Sequence, residues 1–403
     1  MRKTTATLAS LGVAAALTLS ACGSSDNDNK SSSGDNGNGG QSVTAACKLD
    51  SPPQSGAKMP SAGDLGKASG KVGVILPDTT SSTRYTLYDK PLLQKSLTAA
   101  GITPDIQNAE GSTSKFASIA QNMIGEGVKV LIIDSIDAQS GAGVEKAAAK
   151  AGVKVIDYDR VNLGGTAPYY VSFDNEDVGK LQAQTLVDCL DAQGVKNPNI
   201  IMMDGGTDVD NNAVLFKKGA HEVLDPLQDA GKLKIVNEQT VKGWDVNNAA
   251  PAFQQALTAV SGTEIQGVVA ANDDIANAVI GVLKSNNLDG HVVVTGQDSG
   301  TEGLQNIVEG KQSMTIFKNV KLEANAAAQL AIALIQGKDP ASAGMTLSDF
   351  ADPESPAHKI KALLLPAQVI TQANVTDVIK AGALTAAQIC KGIEDSCSKL
   401  GIS

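Results

Sequence analysis

The sequence contains few of the residues on which several classes of protein depend. Aromatic residues make up only 3% of its 403 residues, with a single Trp, and there are three His and five Cys. So few His and Cys leave little material for a metal site with several ligands, and no CxxC redox or zinc pattern is present. We therefore expect neither a metal nor a cofactor.

The chain also lacks an excess of positive charge. Lys and Arg number 33 against 43 Asp and Glu, which gives a formal net charge of −10. A nucleic-acid partner is excluded by this balance, because phosphates must be neutralised by a basic surplus. The phosphate-binding pattern GxxxxGK[ST] is absent as well. Hydrophobic residues make up 42%, which is enough for a sizeable core and excludes wholesale disorder.

The first 21 residues are typical of a secretory signal. Arg2 and Lys3 form its positive end, and residues 8–19 are an apolar run that is short for a membrane span. Small residues then precede Cys22, which resembles a bacterial lipobox. This pattern predicts a lipid on Cys22 and a place on the outer face of the cytoplasmic membrane. The alternatives are secretion with Cys22 unmodified and a retained helix.

Residues 22–69 are predicted to be a low-complexity tether. Residues 23–41 are Gly, Ser, Asn and Asp with almost no apolar side chain, so they cannot bury a core. The remainder is rich in Pro, Gly and Ser but contains Cys47, and packing of this part against the body is left open.

With Cys22 assigned to a lipid, four cysteines remain in an exported chain. An even number suggests two disulfides, of which three pairings are possible. We prefer Cys390 with Cys397, which closes a short loop in a C-terminal extension (residues 386–403), and Cys47 with Cys189.

From residue 71 onward, short β-branched runs alternate with Ala- and Leu-rich amphipathic stretches. The predicted strands are 72–76, 128–134, 153–157, 169–173, 199–204, 234–237, 267–271, 292–296 and 314–317, and the predicted helices include 92–100, 115–126, 144–151, 178–190, 216–227, 250–259 and 275–285. Near-continuous apolar strands between helices imply parallel sheets covered on both faces. Since single cores stop growing at about 250–300 residues, we predict an α/β fold with two doubly wound parallel-sheet lobes.

Polar side chains follow most of these strands, where parallel α/β sheets bind their ligands. Carboxylates accept hydrogen bonds from hydroxyls, Arg and Lys donate, and Asn does both, so this set suits a neutral polyol. Each residue also has a structural interpretation. Asp and Asn after a strand often cap a helix, as we expect for Asp174, Asn175, Asp273 and Asp274. Trp244 could belong to the core, and Arg160 could pair with Asp157 or Asp159.

At these positions the sequence resembles the type I periplasmic sugar-binding proteins. The resemblance covers about residues 71–339 and continues more weakly through 363–369. It is carried, in order, by Val72-Gly73-Val74, Gln121-Asn122-Met123-Ile124, Tyr158-Asp159-Arg160, Ser172-Phe173-Asp174-Asn175-Glu176, Val209-Asp210-Asn211-Asn212-Ala213, Gly243-Trp244, Ala271-Asn272-Asp273 and Gly296-Gln297-Asp298.

The resemblance implies two lobes joined by a three-strand hinge. The N-terminal lobe would comprise residues 70–173 and 319–347, and the C-terminal lobe residues 174–318 and 348–385. Trp244 would stack on the sugar, with Tyr85 as a second aromatic. The full set of implied ligand-binding residues is Arg84, Tyr85, Asp159, Arg160, Asn211, Asn212, Trp244, Asn272, Asp298 and Lys318.

The function that the resemblance implies is capture of xylose or a related aldose by hinge closure. The monomeric, lipid-anchored receptor would deliver the sugar to the permease of an ABC importer. A sensory receptor for a membrane kinase or chemoreceptor is an alternative. An exported sugar-processing enzyme would need paired carboxylates, such as Asp159 and Asp298. Arg160 and Lys318 should keep both ionised and leave no general acid, so we predict that the chain is not an enzyme.

Overall fold

The computed structural model describes residues 43–402. The predicted signal segment 1–21, the lipidation at Cys22 and the glycine- and serine-rich residues 23–41 lie outside the described residues. The strands are β1 Lys71–Leu76, β2 Thr103–Asn108, β3 Val130–Ile133, β4 Lys154–Tyr158, β5 Tyr169–Phe173, β6 Asn199–Asp204, β7 Lys234–Thr240, β8 Gly267–Ala270, β9 Val293–Val294, β10 Met314–Phe317, β11 Ser348–Ala351, β12 Lys359–Leu365 and β13 Gln368–Thr371.

Helices connect most of these strands. They are α1 Lys90–Ala99, α2 Thr113–Gly125, α3 Ala138–Lys150, α4 Asn175–Ala192, α5 Asn211–Asp229, α6 Ala249–Ala259, α7 Asp273–Ser285, α8 Thr301–Val308, α9 Val320–Ile335, α10 Thr376–Lys380, α11 Ala386–Ile389 and α12 Glu394–Lys399. All nine predicted strands and all seven predicted helices are present, with ends that differ by a few residues.

A seven-stranded sheet runs in the order β11-β12-β5-β4-β3-β1-β2. Every neighbouring pair is parallel except β11 with β12. All four residues of β3 are buried, as expected for a strand covered on both faces. Helices α1, α2, α3 and α9 pack on this sheet. We call this sheet and its helices the first lobe.

A second sheet runs in the order β7-β6-β8-β9, with all strands parallel. The antiparallel pair β10-β13 joins it through a bridge between Gln297 and Ile316. Helices α4 to α8 and α10 to α12 pack around these strands, which together form the second lobe. The two parallel sheets confirm the predicted fold class.

The chain passes between the lobes at three places, which are β5 to α4, β10 to α9 and β12 to β13. Two of these crossings touch, because the Asp174 amide donates to the Leu365 carbonyl at 3.0 Å. The first two lie at the predicted boundaries, but the third follows Leu365 rather than residue 347. Residues 348–365 belong to the first lobe because β12, whose residues are mostly buried, pairs with β5.

Both preferred disulfides are present. Cys47 is bonded to Cys189 of α4, and Cys390 is bonded to Cys397. The described part of the predicted tether packs against the body, with Val43, Ala45 and Cys47 buried. Within residues 43–402, no helix is long and apolar enough to cross a membrane.

Candidate functional site

The loops at the carboxyl ends of the strands enclose a cavity between the two lobes, with about 280 Å³ of empty volume. Nine predicted ligand residues line it, namely Arg84, Tyr85, Asp159, Arg160, Asn212, Trp244, Asn272, Asp298 and Lys318. Asn211 is the exception. It is the half-buried first residue of α5 and lies outside the lining, whereas its neighbour Asn212 is buried and faces the first lobe.

Arg84 lies at the centre of a buried ionic cluster. Its Nη1 atom is 2.9 Å from Oδ1 of Asp159, its Nε donates to Asp89, and its Nη2 donates to Glu323 at 2.7 Å. The side chain is only 2% exposed. Three acidic side chains therefore hold this guanidinium in one orientation, and Arg84 in turn fixes Asp159 at the cavity wall.

Asp159 is held by several groups at once. Tyr85 Oη donates to its Oδ2 at 3.1 Å, and Lys318 Nζ lies 3.6 Å from its Oδ1. Burial alone would raise the pKa of this carboxyl, but the charges of Arg84, Lys318 and Arg160 hold it well below its usual range. The expected ionised state of Asp159 follows, with Arg84 as its nearest cation.

Arg160 pairs with neither Asp157 nor Asp159. Its Nε atom is 3.4 Å from Asp210 of the second lobe and 3.7 Å from Asp134. Its guanidinium also lies 5.8 Å from the centre of the Tyr85 ring, within range of a cation–π contact. Arg160 is therefore tied to the opposite lobe.

Trp244 is oriented by Asp210 and by its close packing on Gly205. Its Nε1 donates to Oδ2 of Asp210 at 3.0 Å. The indole packs so closely on Gly205 that a Cβ there would lie 2.1 Å from the ring, and Phe216 contacts it edge-on. The structural interpretation of Trp244 as a core residue holds in part, because it is 5% exposed and also belongs to the second lobe's apolar cluster.

The second lobe reaches the first lobe through Asp298 and Asn272. Ser82 Oγ donates to Asp298 at 2.9 Å, and Lys318 Nζ lies 3.4 Å from its other oxygen. Asn272 donates to the Ser81 carbonyl at 3.1 Å and caps α7 by accepting from the Ile275 amide. These direct contacts between lobes describe a closed arrangement.

Of the four expected helix caps, one is present and three are corrected. Asp174 caps α4, as predicted, by accepting from the Asp177 amide. Asn175 is instead the first residue of α4, and its side chain donates to Asn212. Asp273 and Asp274 follow the true cap of α7 and accept from the Gly300 and Thr83 amides, respectively. Their carboxyl groups therefore bond to other loops instead of capping α7.

Three of the lining residues have left-handed backbone conformations. The φ angles are 60° at Asp159, 57° at Trp244 and 90° at Asp298. A Trp in this region is a clear outlier, because its Cβ crowds the backbone. Such strain persists only where surrounding contacts enforce it, and it collects at functional sites.

Several lining residues were missed by the sequence-based selection. They are Ser81, Ser82, Asp210, Phe216 and Gln297. Asp210 and Gln297 lie inside motifs that carried the resemblance, directly beside residues that were selected, so their signal was available. Ser81, Ser82 and Phe216 had no such signal, because Ser is common in loops and Phe216 reads as part of a helix.

Some polar atoms of the lining are buried without a hydrogen-bond partner among the described residues. They are Arg160 Nε, Gln297 Oε1 and Asp298 Oδ1. Two of them still face an opposite charge, because Arg160 Nε lies 3.4 Å from Asp210 and Asp298 Oδ1 lies 3.4 Å from Lys318 Nζ. Because burying an unpaired polar group costs about 1–3 kcal/mol, these atoms are positioned to gain from hydroxyl groups.

Two α/β lobes, three chain crossings and a polar cavity between the lobes define the class of two-lobed, type I binding proteins. The comparisons agree, since residues 72–339 match the family model described as "Periplasmic binding protein domain". The chain belongs to the periplasmic binding protein family.

The relatives of the chain carry names of sugar receptors. It is 40% identical over 252 residues to the D-xylose-binding periplasmic protein of Escherichia coli, covering 62% of this chain and 74% of that protein. It is 35% identical over 287 residues to the multiple sugar-binding periplasmic receptor ChvE of Rhizobium radiobacter, covering 67% and 79%. Membership of this family confirms the prediction of a binding protein rather than an enzyme.

A solved structure is similar over most of the chain. The carbohydrate transporter solute binding protein of Chloroflexus aurantiacus, in complex with D-glucose, matches with a TM-score of 0.72 and 30% identity. The match covers 80% of this chain and 98% of that chain.

Proposed function

We propose that the chain is a lipid-anchored, extracytoplasmic receptor that closes around one neutral monosaccharide, D-xylose or a related aldose, and delivers it to an ABC importer. The observation that carries the proposal is the cavity between the lobes, which is lined by polar and charged side chains from both of them.

The charges of the cavity favour an uncharged ligand. Each cation of the lining already faces a carboxylate, with Arg84 and Lys318 on Asp159 and Arg160 on Asp210. A phosphate or carboxylate ligand would have to compete with these buried pairs. A sugar hydroxyl carries no charge, so it can donate to Asp298 and accept from Arg160 while the charges of these pairs stay balanced.

The aromatic residue of the cavity favours a sugar ring as the ligand. Trp244 supplies an apolar face for the C–H side of such a ring.

Closure is the proposed output of binding. A ligand shifts an open–closed equilibrium only by its difference in affinity for the two states. A sugar that contacts Arg160 on the first lobe and Asp298 on the second touches both only when the lobes meet. The closed surface would then be recognised by the permease.

The names of the relatives support aldoses, and D-xylose in particular. D-glucopyranose is D-xylopyranose with an added hydroxymethyl group at C5, so the two sugars present the same ring hydroxyls. Discrimination between them therefore depends on space beside C5 rather than on the charged residues.

Isothermal titration of the purified protein with D-xylose, D-glucose, D-ribose and D-galactose tests the proposal. We expect saturable binding that is tightest for D-xylose. Tighter binding of D-glucose would support a sugar receptor but contradict D-xylose as its preferred ligand. The absence of heat with any aldose would refute sugar binding.

Anchoring and delivery need separate tests. After cell fractionation, the Cys22→Ala variant should be found in the soluble fraction rather than in the membrane fraction. Its presence in the membrane fraction would contradict a lipid anchor. A deletion strain should lose uptake of labelled sugar. Intact uptake with lost sugar-dependent gene induction would favour the sensory alternative.

A further inference from the structure

A fourth connection joins the two lobes in addition to the three crossings. It consists of residues 43–69, which we call the strap. Its first part is fixed to the second lobe, because Cys47 is bonded to Cys189 of α4 and the Ala45 amide donates to Gly290 at 2.9 Å. Val43 and Cys47 also belong to an apolar cluster of that lobe.

The middle of the strap lies over the hinge. Gln54 forms a bridge with Gln368, the first residue of β13. Ser55 Oγ and the Gly56 amide both donate to Oδ2 of Asp177, in the first turn of α4. The strap thus contacts the chain directly after two of the three crossings.

The last part of the strap is attached to the first lobe. The Leu65 amide donates to Gln329 of α9 at 3.0 Å, and the Ala68 amide donates to the Ala100 carbonyl at 3.0 Å. Leu65 and Ala68 also pack against the apolar cluster of that lobe. The strap is therefore attached to both lobes.

We propose that the strap limits the opening of the lobes and favours the closed arrangement. A rotation that moves Cys47 away from Leu65 stretches or detaches the chain between these two attachment points. Lys58 and Met59, which lie between them, are exposed. This role concerns the lobes themselves and does not depend on which ligand binds.

The single Trp of the chain makes this testable without a ligand. Trp244 lies in the cavity and is only 5% exposed in the closed arrangement, so collisional quenching of its fluorescence by acrylamide reports opening. The test variant carries four added Gly and Ser residues between Lys58 and Met59. The matched control carries the same insertion between Gly231 and Lys232, an exposed turn within the second lobe.

We expect the strap insertion to raise the open-to-closed ratio roughly fivefold or more, and therefore to raise quenching of the ligand-free protein. In the control variant, acrylamide should quench the fluorescence of Trp244 to the same extent as in the unmodified protein. Unchanged or lower quenching in the strap variant would overturn the proposal, and so would an equal rise in both variants. Because no sugar is present, these outcomes are independent of whether sugar binding holds.

A second pair of variants tests the same proposal in case the insertion variant does not fold. Cys47→Ser with Cys189→Ser frees the second-lobe end of the strap, and Cys390→Ser with Cys397→Ser removes a disulfide that does not involve the strap as the control. The first pair should raise quenching of Trp244 and the second should not. Equal quenching in the two pairs would overturn the proposal.

Discussion

Arg160 Nε lies 3.4 Å from Oδ2 of Asp210, across the boundary between the two lobes. The same oxygen accepts a hydrogen bond from Trp244 Nε1 at 3.0 Å. Burial raises the pKa of the Asp210 carboxyl, and the Arg160 charge opposes that rise. One second-lobe carboxylate therefore links the aromatic of the cavity to a first-lobe cation, so closure and the orientation of Trp244 are coupled.

Replacing the aromatic should weaken sugar binding. Trp244→Ala removes the apolar face and its desolvated contact, at a cost of about 1–3 kcal/mol, or roughly 5- to 150-fold in affinity for D-xylose. Trp244→Phe keeps a ring but loses the donor to Asp210, so a smaller loss is expected. Calorimetric titration measures both, and wild-type affinity in Trp244→Ala would show that the aromatic has no part in the site.

Two neighbouring asparagines provide a matched comparison. Asn212 donates to the Asp159 carbonyl at 2.8 Å and accepts from Tyr170 Oη, whereas Asn211 lies outside the cavity. Asn212→Ala should lower sugar affinity about tenfold or more, because it leaves buried partners unpaired. Asn211→Ala should bind as the wild type does. A reversed order in the titrations would contradict the assignment of Asn212, rather than Asn211, to the cavity.

Removing the central carboxylate should damage both stability and binding. Asp159→Ala leaves Arg84 and Lys318 without a shared buried partner, and breaking a buried pair in this way costs about 3–5 kcal/mol. We expect a lower free energy of unfolding in chemical denaturation and no measurable sugar binding. The control is Asp349→Ala, which breaks an exposed pair with Lys361 and should change neither measurement. An Asp159→Ala protein with normal stability would contradict the buried cluster.

The stability of the protein should depend on pH through Asp273. Burial raises the pKa of this carboxyl to about 8, whereas an unfolded Asp has a pKa of about 3.9. Between these values the folded state keeps a proton that the unfolded state loses. The free energy of unfolding therefore falls as pH rises from about 4 to 8, by at most ~1.4 kcal/mol per pH unit from this group.

The Asp273→Asn variant has no proton to exchange at this position, so its free energy of unfolding should fall less steeply as pH rises. The slope should not vanish, because burial also raises the pKa of Glu323 to about 8. Denaturation curves at several pH values measure it, with the exposed Asp395→Asn as a control that keeps the wild-type slope. A slope in Asp273→Asn as steep as in the wild type would refute the raised pKa.

The strands that the sequence predicted are the apolar ones. Strand β3 and the buried part of β1 read as strands because unbroken β-branched runs have few other stable places in a fold. Strand β2 was missed, since Thr103–Asn108 contains Pro104 and polar residues and lies at a sheet edge. Strand β12 was missed as well, and with it the third boundary between the lobes.

The identity of the cavity residues was also predictable, because polar residues after parallel strands meet at one edge of a sheet. The ion-pair partners of these residues were not predictable from the sequence. Sequence proximity suggested that Arg160 pairs with Asp157 or Asp159, whereas the fold pairs it with Asp210, which is 50 positions away in the chain. Asp159 is left to Arg84 and Lys318, which approach from other loops.

The amino-acid order by itself determined the alternation of strands and helices and the set of polar residues at the strand ends. These properties depend on local propensity and on burial along one segment. Only the tertiary structure decided which charges face each other, where the third crossing lies and that residues 43–69 span both lobes. Such relationships depend on distances between segments far apart in the chain, which no local pattern of residues encodes.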